Sequence, residues 1–201
     1  MSTHVPEDAT ARLLLDGEAI EKALSRIAHE IIERNDGEAA SGLDEVALVG
    51  IQSRGAPLAS RLRRLVEERS GVALPVGALD ITFHRDDVHV REGARPPGRQ
   101  PVVRATSIAF PIEGMTVVLV DDVLYTGRTI RAAIDALLEF GRPARVQLAV
   151  LVDRGHRELP IRPDFVGKNL PTGREERIQV ELVELDERDG VFLVDEREDA
   201  A

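Results

Sequence analysis

The sequence predicts an α/β fold, a mainly parallel sheet of about five strands flanked by helices, and three observations lead there. Apolar, largely β-branched runs at 46–51, 117–120 and 145–152 lack polar alternation, the pattern of strands buried on both faces of a parallel sheet. Helical spacing follows the first two runs, at Leu58, Leu62, Leu65 and Val66 and again over 130–140, as in βα units. The middle run leads straight into two adjacent carboxylates, Asp121 and Asp122. Open α/β sheets bind their ligands at such carboxyl ends of strands.

At 201 residues the chain is expected to form one domain with a proper core. Hydrophobic content of 43% and charged content of 31% are ordinary for a soluble globular protein. No apolar run approaches the ~20 residues of a membrane span, and the first residues lack the basic-then-apolar order of a signal peptide. Cysteine is absent, which excludes disulfides and thiol chemistry and fits a cytoplasmic location. The net charge of −10 argues against a general nucleic-acid binder. It is uneven, however: the acidic tail at 184–201 holds eight acids and two arginines, a net of −6, and leaves −4 for the rest. That balance admits a local basic face.

Residues 1–15 begin polar and end in Arg-Leu-Leu-Leu, a first packed contact. Asp16 suits a helix N-cap and Glu18 the positive end of the helix it opens. Ile20, Leu24, Ile27, Ala28, Ile31 and Ile32 carry that helix to about Asn35. Its other face presents Lys22, Arg26, His29 and Glu33 with Ser25 at the edge, a solvated stripe on spacing alone. A Gly- and acid-rich loop at 36–44 precedes the first buried strand. That strand ends in Gln52-Ser53-Arg54-Gly55, a turn whose backbone donors, hydroxyl and guanidinium suit pyrophosphate.

Residues 76–83 read as a strand interrupted by Asp80 and Thr82. A loop over about 84–107 follows, with Arg85, Arg91, Arg95 and Arg99, and a loop of that length is functional or disordered. Residues 102–110 are expected to return as a hairpin partner. The helix at 128–140 ends at Gly141, a suitable C′ residue. The strand at 145–152 ends in the polar run Asp153-Arg154-Gly155-His156-Arg157-Glu158, and short strands are expected at 165–169, 178–185 and 191–194.

Most of the chemistry lies in 117–129. After the two acids and a turn of Val123, Leu124 and Tyr125 come Thr126, Gly127, Arg128 and Thr129. A small hydroxyl- and Gly-rich loop opening a helix is a phosphate cradle, because free N–H groups and the helix dipole both favour an anion. The carboxylates beside it would repel a bare anion but accept hydrogen bonds from a sugar. A sugar phosphate fits both halves. No Walker loop and no Gly-x-Gly-x-x-Gly fingerprint is present, and a receiver domain has no reason for the Thr-Gly-Arg-Thr cup.

The stretch resembles the phosphoribosyl pyrophosphate (PRPP) motif of type I phosphoribosyltransferases. That resemblance implies that Asp121 and Asp122 hold the ribose 2′- and 3′-hydroxyls and that 124–129 hold the 5′-phosphate. It also implies that Ser53 and Arg54 belong to the pyrophosphate loop and that 84–107 is the flexible loop that closes over PRPP, with Arg85 meeting pyrophosphate. The match then narrows. Ser25-Arg-Ile-Ala-His-Glu, Gly50-Ile-Gln-Ser-Arg-Gly, Leu79-Asp-Ile-Thr-Phe-His-Arg-Asp-Asp, 117–129 and the run 146–163 are similar to the PyrR family, and the likeness spans about 14–195.

PyrR proteins are uracil phosphoribosyltransferases that also bind pyrimidine-operon leader mRNA to attenuate transcription. The resemblance therefore implies conversion of uracil and PRPP to UMP and pyrophosphate. Mg²⁺ would be held mainly through PRPP oxygens, water-bridged at most to Asp121 and Asp122. Uracil is expected at Val152, Asp153 and Arg154, and leader RNA at Ser25, Arg26, His29, Arg157, Arg162 and Lys168, with UMP tightening the RNA complex. A small hood, a mobile hairpin and a homo-oligomer, dimeric or higher, are implied as well. Two departures stand out: Phe83-His84 replaces the family's usual Leu-Tyr, and Gly173 replaces a serine. A transferase for another base and a non-catalytic sensor of PRPP or UMP remain open beside this reading.

Overall fold

The computed structural model describes residues 11–36, 42–84 and 105–195. Its centre is a five-stranded sheet in the order β3-β2-β4-β5-β6, built from β2 (Val46–Ile51), β3 (Val76–Leu79), β4 (Thr116–Leu124), β5 (Arg145–Asp153) and β6 (Phe165–Asn169). Every neighbouring pair is parallel. Helices α1 (Gly17–Asp36) and α2 (Gly55–Ser70) cover one face and α3 (Arg128–Leu137) the other. Along β4, Val118 and Val120 join the core of Ile20, Leu24, Leu58 and Leu62. Val117 and Leu119 join that of Ile130, Ala133 and Leu137. Both faces are dry, which is why these strands show no polar alternation.

The strand order decides where a ligand goes. From β2 the chain passes through α2 to β3 on one side, and from β4 through α3 to β5 on the other. The two crossovers lie on opposite faces, so the order reverses between β2 and β4. Open α/β sheets form their crevice at that reversal, beyond the carboxyl ends of the strands.

A second, antiparallel sheet in the order β1-β8-β7 forms a hood from β1 (Arg12–Asp16), β7 (Glu176–Glu181) and β8 (Gly190–Asp195), with the short helix α4 (Val183–Asp186) between the last two. The Arg-Leu-Leu-Leu segment is thus a strand, paired from Arg12 opposite Leu193 to Asp16 opposite Gly190. Asp16 caps α1 as its chemistry suggested, its Oδ1 accepting the Ala19 N–H at 2.8 Å.

Several boundaries differ from expectation. The strand expected at 76–83 stops at Leu79, because Asp80 Oδ1 accepts both the N–H and the hydroxyl of Thr82 and bends the chain into a turn. The hairpin partner expected at 102–110 is, within its described part, a single bridge of Ser107 to Ala78. Strand β4 runs on through Leu124, so the two acids lie within its last turn of pleat rather than beyond it. The helix expected at 128–140 finishes as a 3₁₀ turn, Leu138–Phe140. The strand expected at 178–185 ends at Glu181, and 183–186 coil into α4. The acidic segment begins as structure rather than as a tail: Glu184, Asp186 and Asp189 pair with arginines of α2 and the turn before it.

Candidate active site

At the reversal between β2 and β4 lies a cleft of about 180 Å³, bounded by Gln52, Ser53 and Arg54 after β2, by Asp121, Asp122 and Val123 of β4, and by Ile81 and Thr129. Two glycines bring its walls together. A Cβ at Gly55 would sit 2.2 Å from the Val120 carbonyl oxygen, and one at Gly50 would sit 2.4 Å from the Ala56 Cα. The first residues of α2 therefore lie directly against the end of β4, where Asp121 begins. The Gln52–Ser53 peptide is cis.

Asp121 is buried, 6% exposed. Its Oδ1 accepts the Asp122 N–H at 3.0 Å, and Asp122 Oδ1 accepts the Val123 N–H at 2.8 Å. Each carboxylate is steadied by the backbone beside it. Beyond them Gly127 takes φ 93°, the left-handed conformation glycine tolerates, at the start of α3. The N-cap residues of α2 and α3, Arg54 and Gly127, make no side-chain cap bond, and Thr126 Oγ1 accepts the Arg128 N–H only at 3.4 Å. Two helix starts with backbone donors thus face one cleft, and the carboxylates stand at its edge. That arrangement accommodates an anion at each helix and hydroxyls between them.

The loop at 125–129 is braced from outside. Thr126 O accepts the N–H groups of Glu158 and Leu159 at 3.0 and 3.1 Å, and Arg128 Nε donates to Glu158 Oε2 at 2.7 Å. Arg157 ties the loop to the end of β5: it donates to the carbonyls of Tyr125, Gly155 and Ile161 and pairs with Asp153. This arginine, one of those expected on the RNA face, lies at the carboxyl end of β5 beside the 125–129 loop. Arg154, 6% exposed, donates to Thr172 Oγ1 and to the carbonyls of Gly173 and Glu176, and its guanidinium stacks 4.0 Å over the Tyr125 ring. Its side chain thereby joins β5 to the hood. Val152 is wholly buried, in register with Lys168.

Of the remaining RNA candidates, Ser25, Arg26 and His29 lie on the outer side of α1, which packs over β6. Arg26 donates to the carbonyls of Val166, at 3.0 Å, and Gly167, and this brings it beside Lys168. Ser25 Oγ accepts from Arg69, and His29 sits 3.4 Å from Glu33. Lys168 and Arg162 are exposed. Arg85 lies outside the described residues. Arg54, placed as expected on the cleft, meets a partner that sequence reasoning did not name: Asp186 of α4, at 2.8 and 2.9 Å. Ile81 was also missed, whereas Gln52 already stood in the 52–55 turn. Asp186 is 132 residues away from its partner and had no such signal.

The phosphoribosyl transferase domain family matches residues 11–187. The Bifunctional protein PyrR of Roseiflexus sp. (strain RS-1) is 62% identical over 182 residues, 90% of this chain and 93% of that protein. The Bifunctional protein PyrR of Halalkalibacterium halodurans is 52% identical, over 91% of this chain and 97% of its own. Among solved structures, the hypoxanthine phosphoribosyl transferase of Trypanosoma cruzi superimposes with a TM-score of 0.70 at 20% identity, covering 98% of this chain and 97% of that one. That likeness is one of fold.

Proposed function

This chain belongs to the PyrR family of phosphoribosyltransferases, and from that premise we propose that its cleft joins uracil to PRPP, giving UMP and pyrophosphate, and that a second face binds pyrimidine-operon leader RNA. The observation that carries the first half is the convergence of Asp121 and Asp122 with the starts of α2 and α3 at one cleft. As the bond from the ribose C1′ to pyrophosphate breaks and uracil N1 bonds to C1′, giving up its proton to the leaving pyrophosphate or solvent, positive charge develops on the ring. Asp121 and Asp122 hold the 2′- and 3′-hydroxyls and stabilise that charge. The 124–129 loop anchors the 5′-phosphate, and Ser53 and Arg54 receive the leaving group, joined by Arg85. Uracil lies at the end of β5, where the Arg154 side chain is directed into the hood; base contacts therefore come from the backbone of 152–154. The paired carboxylates are hard oxygen donors of the kind Mg²⁺ prefers. Asp121 and Asp122 would hold the ion beside them through PRPP oxygens, and when bound it would supply neutralisation of the leaving group's charge.

The RNA half rests on Ser25, Arg26, His29, Arg157, Arg162 and Lys168, cations and polar groups that would contact phosphates and unpaired bases. The adjacency of α1 and β6 supports it. Lys168 stands in register with Val152, so the RNA face and the base site share a strand pair. Turnover with PRPP and Mg²⁺, comparing uracil with hypoxanthine and orotate, tests the enzyme; absence of UMP formation refutes it. For the RNA half, the affinity of leader and scrambled RNA is measured across salt, with and without UMP, for wild type, His29→Ala, Arg162→Ala and Lys168→Ala. Equal affinity for both RNAs would leave only the transferase.

A further inference from the structure

Arg54 and Asp186 lie 132 residues apart in the chain. Arg54 precedes α2 on the wall of the cleft, and Asp186 closes α4 in the hood. Both Asp186 oxygens accept from a single nitrogen, Arg54 Nη2, at 2.8 and 2.9 Å. The Asp186 side chain is 5% exposed and that of Arg54 22%. The carboxylate is itself fixed, since its Oδ2 also accepts the Leu182 N–H at 3.1 Å and the Asp186 N–H donates to Leu182 O at 2.7 Å. Elsewhere on the guanidinium, Arg54 Nε is buried and finds no partner among the described residues. A buried charged donor without an acceptor is unfavourable, and here it belongs to a residue of an anion-binding cleft.

We propose that Asp186 is a positioning residue for the pyrophosphate end of the site, holding Arg54 by Nη2 so that the rest of its guanidinium is set for the leaving group. The proposal rests on the phosphoribosyltransferase reading of the cleft. An arginine side chain carries about 2 kcal/mol of rotamer entropy, and a partner that fixes one nitrogen removes much of that freedom before the ligand arrives. The hood thus completes a loop that belongs to the main sheet.

The sign of the effect separates positioning from mere charge. Asp186 is an anion near an anion site, so Coulomb's law alone says that its neutralisation should tighten pyrophosphate. Positioning says the opposite. Binding of magnesium pyrophosphate is measured by calorimetry for wild type, Asp186→Asn, Arg54→Ala and the double variant, beside the KM for PRPP and the KM for uracil. Asp186→Asn is expected to weaken pyrophosphate and raise the KM for PRPP roughly tenfold or more, with the KM for uracil unchanged. The double variant should bind no more weakly than Arg54→Ala, because Asp186 acts only through Arg54. Glu184→Gln loosens the hood elsewhere and should leave pyrophosphate affinity within about twofold. Where Asp186→Asn does not fold, Asp186→Glu, which keeps the charge and shifts it by one methylene, is expected to weaken pyrophosphate several-fold.

Pyrophosphate binding that is unchanged or tighter in the Asp186 variant overturns the proposal. Effects of Asp186→Asn and Arg54→Ala that add independently overturn it too, as does a wild type that binds no pyrophosphate. Because direct binding does not depend on uracil, the two readings fail separately. A wild type that makes no UMP yet shows the expected binding pattern refutes the uracil assignment and leaves Asp186 in its role. Normal UMP formation with an indifferent Asp186→Asn does the reverse.

Discussion

Asp121 and Asp122 each give one oxygen to a neighbouring backbone N–H, a bond that the amide oxygen of asparagine can equally accept. Asp121→Asn and Asp122→Asn are therefore expected to melt near the wild-type temperature while losing transition-state stabilisation. A hydrogen bond to a charged group is worth about 1.5–3 kcal/mol, so kcat/KM should fall roughly tenfold to a hundredfold in each, measured with uracil and PRPP. Unchanged kcat/KM in both would remove the ribose from these residues. Arg154 gives the contrasting case. With three hydrogen bonds and a ring contact at 6% exposure, its replacement by Ala should cost about 3 kcal/mol or more of stability by leaving buried acceptors unmet, read by urea denaturation. The acid pair and the Thr-Gly-Arg-Thr cup were legible because they are contiguous and their chemistry is local. The destinations of Arg54, Arg154 and Arg157 were not, since a guanidinium on a long stem can meet partners that only the tertiary fold brings near.

The elements hold the cleft through close backbone approach at one end and charge at the other. Gly55→Ala would place a methyl 2.2 Å from the Val120 carbonyl oxygen, and neither strand nor helix can yield without moving the turn at 52–54. Overpacking of this kind typically costs about 1–3 kcal/mol. A fall in stability within that range, together with a raised KM for PRPP, is the expected outcome; an unaffected KM would detach the glycine contact from the site. The hood is held to α2 by Arg61, which pairs with Glu184 at 2.5 Å and Asp189 at 2.7 Å. Hydrogen bonds from Arg61 hold both carboxyls below their ordinary range, and the two acids push the guanidinium's pKa up. A lowered carboxyl pKa stabilises the fold above its unfolded value, about 4, and that contribution is lost as pH falls through the folded value. Melting temperature followed below pH 4 should therefore drop more steeply for wild type than for a Glu184→Gln, Asp189→Asn variant, which has already lost the pair. Parallel curves would show that Arg61 contributes nothing there. Strands β2, β4 and β5 were readable because both of their faces are dry, whereas β3 lost its second half to a turn fixed by the Asp80 carboxylate.

For the molecule as a whole, the pairing of β5 with β6 would link the proposed base site to the proposed RNA face. If UMP tightens RNA by some factor, RNA must tighten UMP by the same factor, and couplings of this kind are about 5- to 150-fold. Titrating UMP against the RNA-bound and free protein checks the reciprocity; unequal factors would mean that a third equilibrium intervenes. The main sheet followed from the sequence because each βα unit is contiguous. The hood did not, because its sheet joins β1 to β8 across nearly the whole chain. This joining also sets an order of events during synthesis. Strand β1 is made well before its partner at Gly190–Asp195. At about 5–20 residues per second, roughly ten seconds or more separate the two. For much of that interval a nascent chain carries β1 without its partner strand and an Arg54 that has not yet met Asp186. The parallel sheet can assemble first, but the proposed pyrophosphate end of the cleft is completed only once α4 has been made.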